Sequence, residues 1–423
     1  MKVQTKDRRV QKFLDRHLQS PAFCWDDVTD PRARRGRRWS LGELLNASMA
    51  GMLAGCETLR DVEALTEEMG AMGRKYVSRR LPDTTAWDLL PRLVAAEFRT
   101  QLRKQVRMFW RSKMLEPQDL PCGVVSFDGK GLGALEHDAE GDAQKGHRQD
   151  GSPYWLARVL RAALTSAQAK VLLDQVAIGA RTNEMGSFAT FFDEVVDAYD
   201  ALFEIVTTDA GMTSKANADR VCAKQKSYVM ACKGTQPELL AEAHRLLLPR
   251  VGQTPDAQSD WEVYQGKRVQ RRLFRTSDIA GYHGWDHLRQ AWLVEQHTQH
   301  PSGVIVVEQR FFLSSVRPGR LSAKQILAVV RGHWGIENDC FWSLDMQWNE
   351  DALPWCTTGK AVEVISLIRV MAYNLLQLAR KRNLRRRLPN GEHTEPPPWR
   401  RLFEWVKQAL RLDLTPAPLA VSG

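Results

Sequence analysis

Residues 122–130 read Cys122-Gly-Val-Val-Ser-Phe-Asp-Gly-Lys130, and here the sequence changes from a helical to a β-type pattern. Further β-type runs follow at 154–164 and 171–178, ahead of the first helical pattern of this region at 184–199. Three meandering strands before any helix fit poorly with a doubly wound nucleotide-binding fold, in which strands and helices alternate from the start. The pattern instead predicts an α/β fold built on a mixed sheet.

The chain after residue 200 predicts the rest of this sheet and an interruption of it. Strand patterns at 203–208 and 228–232 alternate with helical patterns at 214–226 and 237–247. Residues 260–315 are rich in β-type runs separated by turns, which indicates an insertion. Helical periodicity returns from Ser322, with apolar side chains four residues apart at 336, 340 and 344, and again over 361–380.

The sequence before residue 119 has apolar residues at helical spacing over 41–53 and more helical pattern up to 111. Because it also carries a basic segment, we expect a DNA-binding helical domain there. The complete prediction divides the chain into an N-terminal helical domain 1–118, a first core part 119–259, a β-rich insertion 260–316, a second core part 317–385 with a glutamate-bearing helix, and a basic, proline-rich tail 386–423.

The composition favours a polyanionic partner and a reducing compartment. Among 423 residues, 60 Lys and Arg face 50 Asp and Glu, which gives a net charge of +10. Seven cysteines without a C-x-x-C pair indicate reduced thiols, and we find neither a leader pattern nor an apolar run of about 18 residues. We therefore expect a cytoplasmic protein that does not enter a membrane.

Two basic runs are candidates for phosphate contacts, although a solvated surface explains either run equally well. The sequence does not decide which run binds DNA. The first contains Arg32, Arg34, Arg35, Arg37 and Arg38, and the second contains Arg380, Lys381, Arg382, Arg385, Arg386 and Arg387.

Three acidic residues occupy positions from which they can converge. Asp128 and Asp209 end predicted strands, and Glu337 lies on a predicted helix. Side chains at the carboxyl ends of neighbouring strands meet at one edge of a sheet, and carboxylates are ligands that Mg²⁺ prefers. Considered singly, Asp128-Gly129 is also a hairpin-turn dipeptide, and Asp209 is also a candidate helix cap.

The acidic residues lie in blocks whose order and spacing resemble the insertion-sequence transposases of the H-repeat-associated group. The N-terminal segments Asp30-Pro31-Arg32 and Leu81-Pro82-Asp83-Thr84-Thr85 resemble the leading domain of that group. The main blocks are Phe127-Asp128-Gly129-Lys130, Arg181-Thr-Asn183-Glu184, Thr208-Asp209-Ala210, Tyr228-Val-Met-Ala-Cys-Lys233-Gly234-Thr-Gln236, Arg331-Gly-His333-Trp334-Gly-Ile336-Glu337-Asn338, Trp342-Ser-Leu344-Asp345 and Glu350-Asp351.

The resemblance implies a ribonuclease-H-like catalytic core whose DDE triad falls on Asp128, Asp209 and Glu337. It also implies Mg²⁺, with Mn²⁺ able to replace it, as the ion that these three residues hold. The 128 positions between Asp209 and Glu337 leave room for the β-rich insertion. The wider group of cut-and-paste transposases carries tyrosine, arginine and lysine around the glutamate, where this chain has Val330, His333 and Leu344. Within the narrower group, Gly133 and the pair Cys340-Phe341 are departures.

The same blocks supply candidate DNA contacts, each with a structural alternative. Asp-Gly-Lys is also an ordinary turn composition, His333 also fits a histidine bonded to a neighbour, and tryptophans such as Trp334, Trp342 and Trp348 are usually core. The predicted contacts are Lys130, Lys233, Arg331, His333, Trp334, Asn338, Arg34, Arg35, Arg37 and Arg38. His283 and His287 are four residues apart, but the intervening glycine argues against a helix that presents both to a metal.

Taken together, these features predict a Mg²⁺-dependent DNA transposase. It would cut the ends of an insertion sequence and join them to target DNA, with the terminal inverted repeats and target DNA as double-stranded partners and a homodimer pairing the two ends. A domesticated nuclease or recombination factor on the same core is the first alternative. A catalytically inactive DNA-binding relic is the second.

Overall fold

The computed structural model describes residues 5–18, 24–35, 37–135, 143–264, 266–352, 355, 359–385, 388 and 393–412. Within these residues the strands form one sheet, in the spatial order β2-β3-β1-β5-β6-β11-β10-β9-β7, and β4 and β8 pair with β3 and β9 respectively. The strands are β1 Val124–Leu135, β2 Gln144–His147, β3 Pro153–Leu164, β4 Val171–Ala177, β5 Ile205–Thr208, β6 Ser227–Cys232, β7 Ala257–Gln258, β8 Glu262–Tyr264, β9 Lys267–Thr276, β10 Gln290–Gln299 and β11 Ile305–Ser314.

The core of the sheet has the predicted ribonuclease-H-like topology. Strands β4, β3 and β1 are antiparallel neighbours, whereas β5 and β6 continue the sheet parallel to β1. The spatial order β4-β3-β1-β5-β6 therefore joins a meander of three strands to two parallel strands with helical connections. This confirms the predicted mixed sheet.

The helices surround this sheet, and most begin and end near the predicted positions. They are α1 Thr5–Leu18, α2 Leu41–Leu53, α3 Leu59–Glu67, α4 Asp83–Leu89, α5 Ala95–Arg111, α6 Glu184–Tyr199, α7 Lys215–Ala223, α8 Pro237–Leu247, α9 Ala323–His333, α10 Trp342–Trp348, α11 Gly359–Leu378 and α12 Trp399–Arg411. A short π-helical segment, Ile336–Phe341, connects α9 to α10.

The two faces of the sheet carry different helices, because side chains alternate along a strand. On β1, Phe127 packs edge to face against Phe188 and Phe191 of α6. Val124, of the opposite parity, belongs to a second apolar cluster that includes Val329 and Val330 of α9. Residues of β1 with the parity of Val124, including Asp128, therefore face the helix that precedes Glu337.

The β-rich segment between residues 260 and 316 extends the core sheet. Its last strand, β11, pairs antiparallel with β6, from Phe311 opposite Cys232 to Ser314 opposite Val229. The preceding residues 305–310 pair only with β10 and are exposed. The insertion thereby places an open strand edge beside the carboxyl end of β6.

The N-terminal helices share one apolar cluster with the C-terminal part of the chain. The indole Nε1 of Trp348 donates a hydrogen bond to the carbonyl of Met52 at 2.8 Å, and Trp355 donates to the carbonyl of Cys56 at 3.1 Å. The described residues before 119 are thus packed as part of the whole fold, and the predicted domain boundaries at 118, 259, 316 and 385 stay predictions.

Among the described residues, one helix reaches the length and hydropathy that a membrane span needs. The stretch Ala361–Asn383 has a mean hydropathy of 1.4, contrary to our expectation that no such run exists, but 94% of its apolar window is buried inside the protein. Contacts with α2, α5 and β4 cover it. Its apolar character is therefore explained by its place in the core.

Candidate active site

The register of two parallel strands brings two of the predicted acids together. Phe127 on β1 lies opposite Thr208 on β5, and the next residue on each strand is Asp128 and Asp209 respectively. Each has the parity of the sheet face that carries α9. The Asp128 and Asp209 side chains are therefore neighbours, and both project from the face of the sheet that carries α9.

Asp128 lies inside β1, so the alternative that Asp128-Gly129 forms a hairpin turn is wrong. The carboxylate accepts a hydrogen bond from the Gly129 N–H at 2.9 Å and is 9% exposed. Burial raises its pKa to about 8, and the carboxylates of Glu337, Asp209 and Glu184 add to this effect. The surroundings of Asp128 therefore disfavour the ionised form of its carboxyl group.

Asp209 combines the two roles that the sequence left open. Its Oδ1 accepts a hydrogen bond from the backbone N–H of Met212 at 3.2 Å and so caps the short turn Ala210–Met212. The longer helix α7 has its own cap in Ser214. One carboxylate oxygen of Asp209 is therefore bonded locally while the group stays next to Asp128 and Glu337.

Glu337 lies in the π-helical segment between α9 and α10, an irregularity that often occurs at functional sites. Ile336 and Cys340 of this segment are fully buried, which fixes its inner face and leaves Glu337 exposed. Partial desolvation and the nearby Asp209 raise the pKa of Glu337, while Arg310 and Lys233 oppose this. The third predicted acid therefore lies within electrostatic reach of the other two.

His333 holds the end of α9 against the sheet. Its Nδ1 is 2.9 Å from Thr207 Oγ1, which is itself 2.7 Å from Ser126 Oγ on β1. The ring is 4% exposed, and burial lowers its pKa to about 4 despite the opposing effect of Asp209. Burial therefore favours the neutral ring, and the geometry is that of a histidine bonded to a neighbour. The predicted DNA contact of His333 stays a prediction.

Glu184 is a fourth carboxylate, to which the sequence reasoning assigned no role. It begins α6, where the Asn183 side chain accepts a hydrogen bond from the Gly186 N–H at 2.9 Å. Its carboxylate rests on Gly129, where an added Cβ would lie 1.8 Å from Oε1. Burial and Asp209 raise its pKa. The only sequence signal was its place in the block Arg181-Thr-Asn183-Glu184.

The donor set suits a hard divalent cation. Carboxylate oxygens are what Mg²⁺ and Mn²⁺ prefer. Burial and the neighbouring carboxylates raise the pKa of Asp128 and so disfavour its ionised form, which a bound cation would stabilise. Within the described ranges, no three His, Cys, Asp or Glu side chains are already gathered around one point. Binding would therefore require the carboxylates to turn toward one another.

A cavity of about 550 Å³ opens beside two of the acids. Asp209 and Glu337 line it on one side, and Lys233, a predicted DNA contact that follows β6, is exposed on its wall. Trp334, half-buried, lines it as well, and the Arg310 guanidinium lies 4.4 Å from the centre of its ring. The structure thus brings these predicted contacts together and adds Arg310, which the sequence reasoning missed because it lies in the insertion.

Lys130 is ion-paired within the protein, and its predicted phosphate contact stays a prediction. Its Nζ is 2.6 and 2.7 Å from the two carboxylate oxygens of Asp345, and its side chain is 8% exposed. The charge is therefore already neutralised. The ion pair instead ties β1, which carries Asp128, to α10, which follows Glu337.

The other predicted DNA contacts lie at the surface. Asn338 is exposed next to Glu337, and Arg331 is exposed and ion-paired with Glu262 of the insertion at 2.7 Å. Among the tryptophans, Trp348 is buried as core, whereas Trp342 is 52% exposed.

The two basic runs differ in how their arginines are used. In the first, Arg34, Arg35 and Arg38 are exposed, whereas Arg37 lies 3.4 Å from Asp30. In the second, three arginines donate to backbone carbonyls, and Arg386 and Arg387 lie outside the described residues. These bonds join Arg380 to Pro397 at 2.7 Å, Arg382 to Lys113 at 3.1 Å and Arg385 to Thr394 at 2.6 Å.

Comparison with known proteins gives a family match over most of this region. A model described as a transposase DDE domain matches residues 122–375. The protein named "Putative transposase YncI" from Escherichia coli O157:H7 is 25% identical over 366 residues, which span 83% of this chain and 85% of that protein. The "H repeat-associated putative transposase YhhI" of Escherichia coli K12 is 27% identical over 210 residues, or 46% of this chain and 53% of that protein.

A cryo-EM structure of the piggyBac transposase synaptic complex with hairpin DNA aligns with a TM-score of 0.45 at 10% identity, over 97% of this chain and 78% of that one.

Proposed function

Because this chain belongs to the family of transposases with a DDE domain, we propose that it cuts DNA at the ends of an insertion sequence and joins those ends to target DNA. The observation that carries the proposal is the proximity of Asp128, Asp209 and Glu337, of which burial and like charge raise the pKa of Asp128 and Glu337 although Arg310 and Lys233 oppose this at Glu337. Partly buried carboxylates are costly, and such costs are concentrated at functional sites.

Asp128, Asp209 and Glu337 would hold Mg²⁺, or Mn²⁺ in its place, which supplies Lewis-acid activation of the attacking oxygen and of the phosphodiester. Asp128 contributes from a rigid strand, whereas the capping bond of Asp209 leaves one of its oxygens for the ion. His333 and the Lys130–Asp345 pair position the two helices that flank Glu337. In the proposed reaction, water cleaves the phosphodiester, and the released 3′-hydroxyl then attacks the target strand.

DNA binding outside this site falls to exposed basic side chains. We assign the contacts to the terminal inverted repeats to the N-terminal region, where Arg34, Arg35 and Arg38 are exposed and Arg37 adjoins them. Pairing two ends of an element requires at least two copies of the active site, so the working form would be a homodimer on double-stranded DNA. The proposed place of action is the bacterial cytoplasm, where the nucleoid lies.

The test is cleavage and strand transfer of DNA that carries the gene's own flanking sequences, with Mg²⁺, by wild type, Asp209→Asn and Glu337→Gln. We expect end-specific 3′-hydroxyl products and joined products from wild type alone. Cutting without joining would favour the nuclease alternative, and equal binding by all three proteins without cutting would favour the DNA-binding relic. Equal cutting by all three would show that other carboxylates carry the reaction.

A further inference from the structure

Residues 309–312 of β11, in the insertion, help to line the cavity that Asp209 and Glu337 also line. Arg310 is the last residue of the exposed stretch 305–310 of β11, just before that strand pairs with β6. Its side chain is 42% exposed. Because the adjoining residues are held in the sheet, the backbone position of Arg310 relative to β6 is fixed.

Trp334 fixes the direction of the Arg310 side chain. The guanidinium carbon lies 4.4 Å from the ring centre, so the planar group rests on the indole. Trp334 is three residues before Glu337, and the Asn338 N–H donates to its carbonyl at 2.8 Å. The segment that carries the third acid therefore also supplies the platform for the arginine.

The charge of Arg310 is available to a ligand. Its carboxylate neighbour, Glu308, lies 3.5 Å away, and the two side chains are 42% and 51% exposed, a geometry in which ion pairs contribute little. Lys233 is exposed on the same cavity. Both cations act to lower the pKa of Glu337, which places them within electrostatic reach of its carboxylate.

We propose that Arg310 and Lys233 together seat one backbone phosphate of the substrate DNA beside Glu337, with Trp334 holding the guanidinium in place. This inference rests on the proposed function. A phosphate is the ligand that fits, because a stacked guanidinium keeps its N–H edge free for two oxygens and Lys233 adds a point charge. The seat also answers an electrostatic need, since four carboxylates would repel the DNA backbone.

The chain offers a matched control for Arg310. Arg268 on β9 lies over Trp261, with its guanidinium carbon 5.2 Å from the ring centre, and it is exposed in the same insertion. It is not among the residues that line the cavity. If the loss of an arginine–tryptophan contact by itself impairs the protein, Arg310→Ala and Arg268→Ala should both show the effect. If the loss of a phosphate contact is the cause, only Arg310→Ala should show it.

The experiment compares Arg310→Ala, Arg310→Lys, Lys233→Ala and Arg268→Ala on duplex DNA that carries the element's end. We expect Arg310→Ala to slow cleavage roughly 10- to 100-fold, the loss of one charge-assisted contact. It should also lower the slope of log affinity against log salt by about one. Lys233→Ala should act in the same direction, Arg310→Lys should retain part of the activity, and Arg268→Ala should stay within about twofold of wild type, as for a surface substitution.

The phosphate itself is identified by replacing single phosphates near the cleavage point with neutral methylphosphonates. At one position, the replacement should weaken binding to wild type and have no further effect on Arg310→Ala, which is the coupling expected of direct partners. Additive losses at every position, or equal losses in Arg268→Ala and Arg310→Ala, would overturn the inference. Equal thermal unfolding of the variants excludes misfolding as the cause.

Binding is measured with Ca²⁺ in place of Mg²⁺, so that it does not depend on cleavage. If wild type cuts no DNA but the coupling between Arg310 and one phosphate is present, the proposed function fails and the phosphate seat stands. If wild type cuts and joins DNA but the coupling is absent at all positions, the seat fails and the proposed function stands.

Discussion

The buried glutamate Glu350 and the acidic group around Asp128 are in opposite electrostatic surroundings. Glu350 is fully buried, yet the Arg161 guanidinium binds it through two hydrogen bonds of 2.8 Å, and Arg369 lies 3.3 Å away. Burial opposes ionisation of Glu350, but these guanidiniums outweigh it and hold its pKa at about 2. Asp128 lies directly opposite Arg161 in the β1–β3 register and has carboxylate neighbours instead. Burial first, and these neighbours second, raise its pKa to about 8.

The difference separates a structural role from a functional one. The Arg161–Glu350 pair connects β3 to the segment after α10 and, through Ser366, to α11, and the one carboxylate is paired with two guanidiniums, those of Arg161 and Arg369. In the acidic group of Asp128, Asp209, Glu184 and Glu337, burial and like charges raise the pKa of Asp128, Glu184 and Glu337, and the opposing effects of Arg158, Arg310 and Lys233 do not outweigh them. This group therefore favours a bound cation. Burial alone does not distinguish the two groups, whereas the counter-ions do.

The largest effect is expected from removing an acid of the acidic group. Asp128→Asn should reduce DNA cleavage on the order of 10³-fold or more, as for other essential catalytic carboxylates. The free energy of unfolding without metal should stay equal or rise, because a repelled carboxyl group is removed. Cleavage assays and urea denaturation measure both. The control is Glu242→Gln on α8, a half-buried acid paired with the exposed Arg245, which should leave cleavage unchanged and alter stability little. A variant that loses activity and stability together would contradict the comparison.

The group of Glu350 and its two guanidiniums should respond in the opposite way. Glu350→Gln leaves Arg161 and Arg369 buried without their carboxylate, so the free energy of unfolding should fall by about 3–5 kcal/mol. Urea denaturation at pH 7 measures this loss. If Glu350→Gln keeps wild-type stability while cleavage is lost, the group has a catalytic rather than a structural role.

The pH dependence of stability should reveal the raised pKa of Asp128. The pKa of Asp128 rises from 3.8 to about 8 on folding, so the folded state retains a proton that the unfolded state has lost between these values. The stabilisation from Asp128 is therefore complete below about pH 4 and is lost progressively as the pH rises to about 8. Denaturation of wild type and Asp128→Asn without metal at pH 5 and pH 8 should show this as a difference between the two proteins. Mg²⁺ should stabilise wild type more at pH 8 than at pH 5, and a pH-independent difference would refute the assignment.

The smallest effect is expected from the fourth acid. Glu184→Gln keeps the packing on Gly129 but removes one repelling charge, so cleavage should fall by about tenfold, as for a supporting residue of a metal site. The Mg²⁺ concentration needed for half-maximal cleavage should rise with it. The matched control is Glu238→Gln, a glutamate in the first turn of α8 that is exposed. If Glu184→Gln and wild type behave equally in the Mg²⁺ titration, Glu184 takes no part in metal binding at the site.

The sequence by itself determined the mixed sheet, since local periodicity depends on residues that are near each other in the chain. The three β-type runs from Cys122 correspond to β1, β3 and β4, and the parallel pairing of β1 with β5 places Asp128 beside Asp209. The prediction that the first strand ends at Asp128 was wrong, because β1 continues to Leu135. The gap before Glu337 predicted the β-rich segment. The inferences that succeeded did so because residue spacing is a local property.

Only the tertiary structure decided which charges are free. Asp345 neutralises Lys130 across 215 positions of sequence, and Thr207 binds His333 across 126. The register of β11 on β6 brings Arg310 to Glu337, and the start of α6 brings Glu184 onto Gly129. The physical reason is that the free energy of a charged side chain depends on its neighbours in space, and those neighbours are set by strand register and helix packing, which no local pattern specifies.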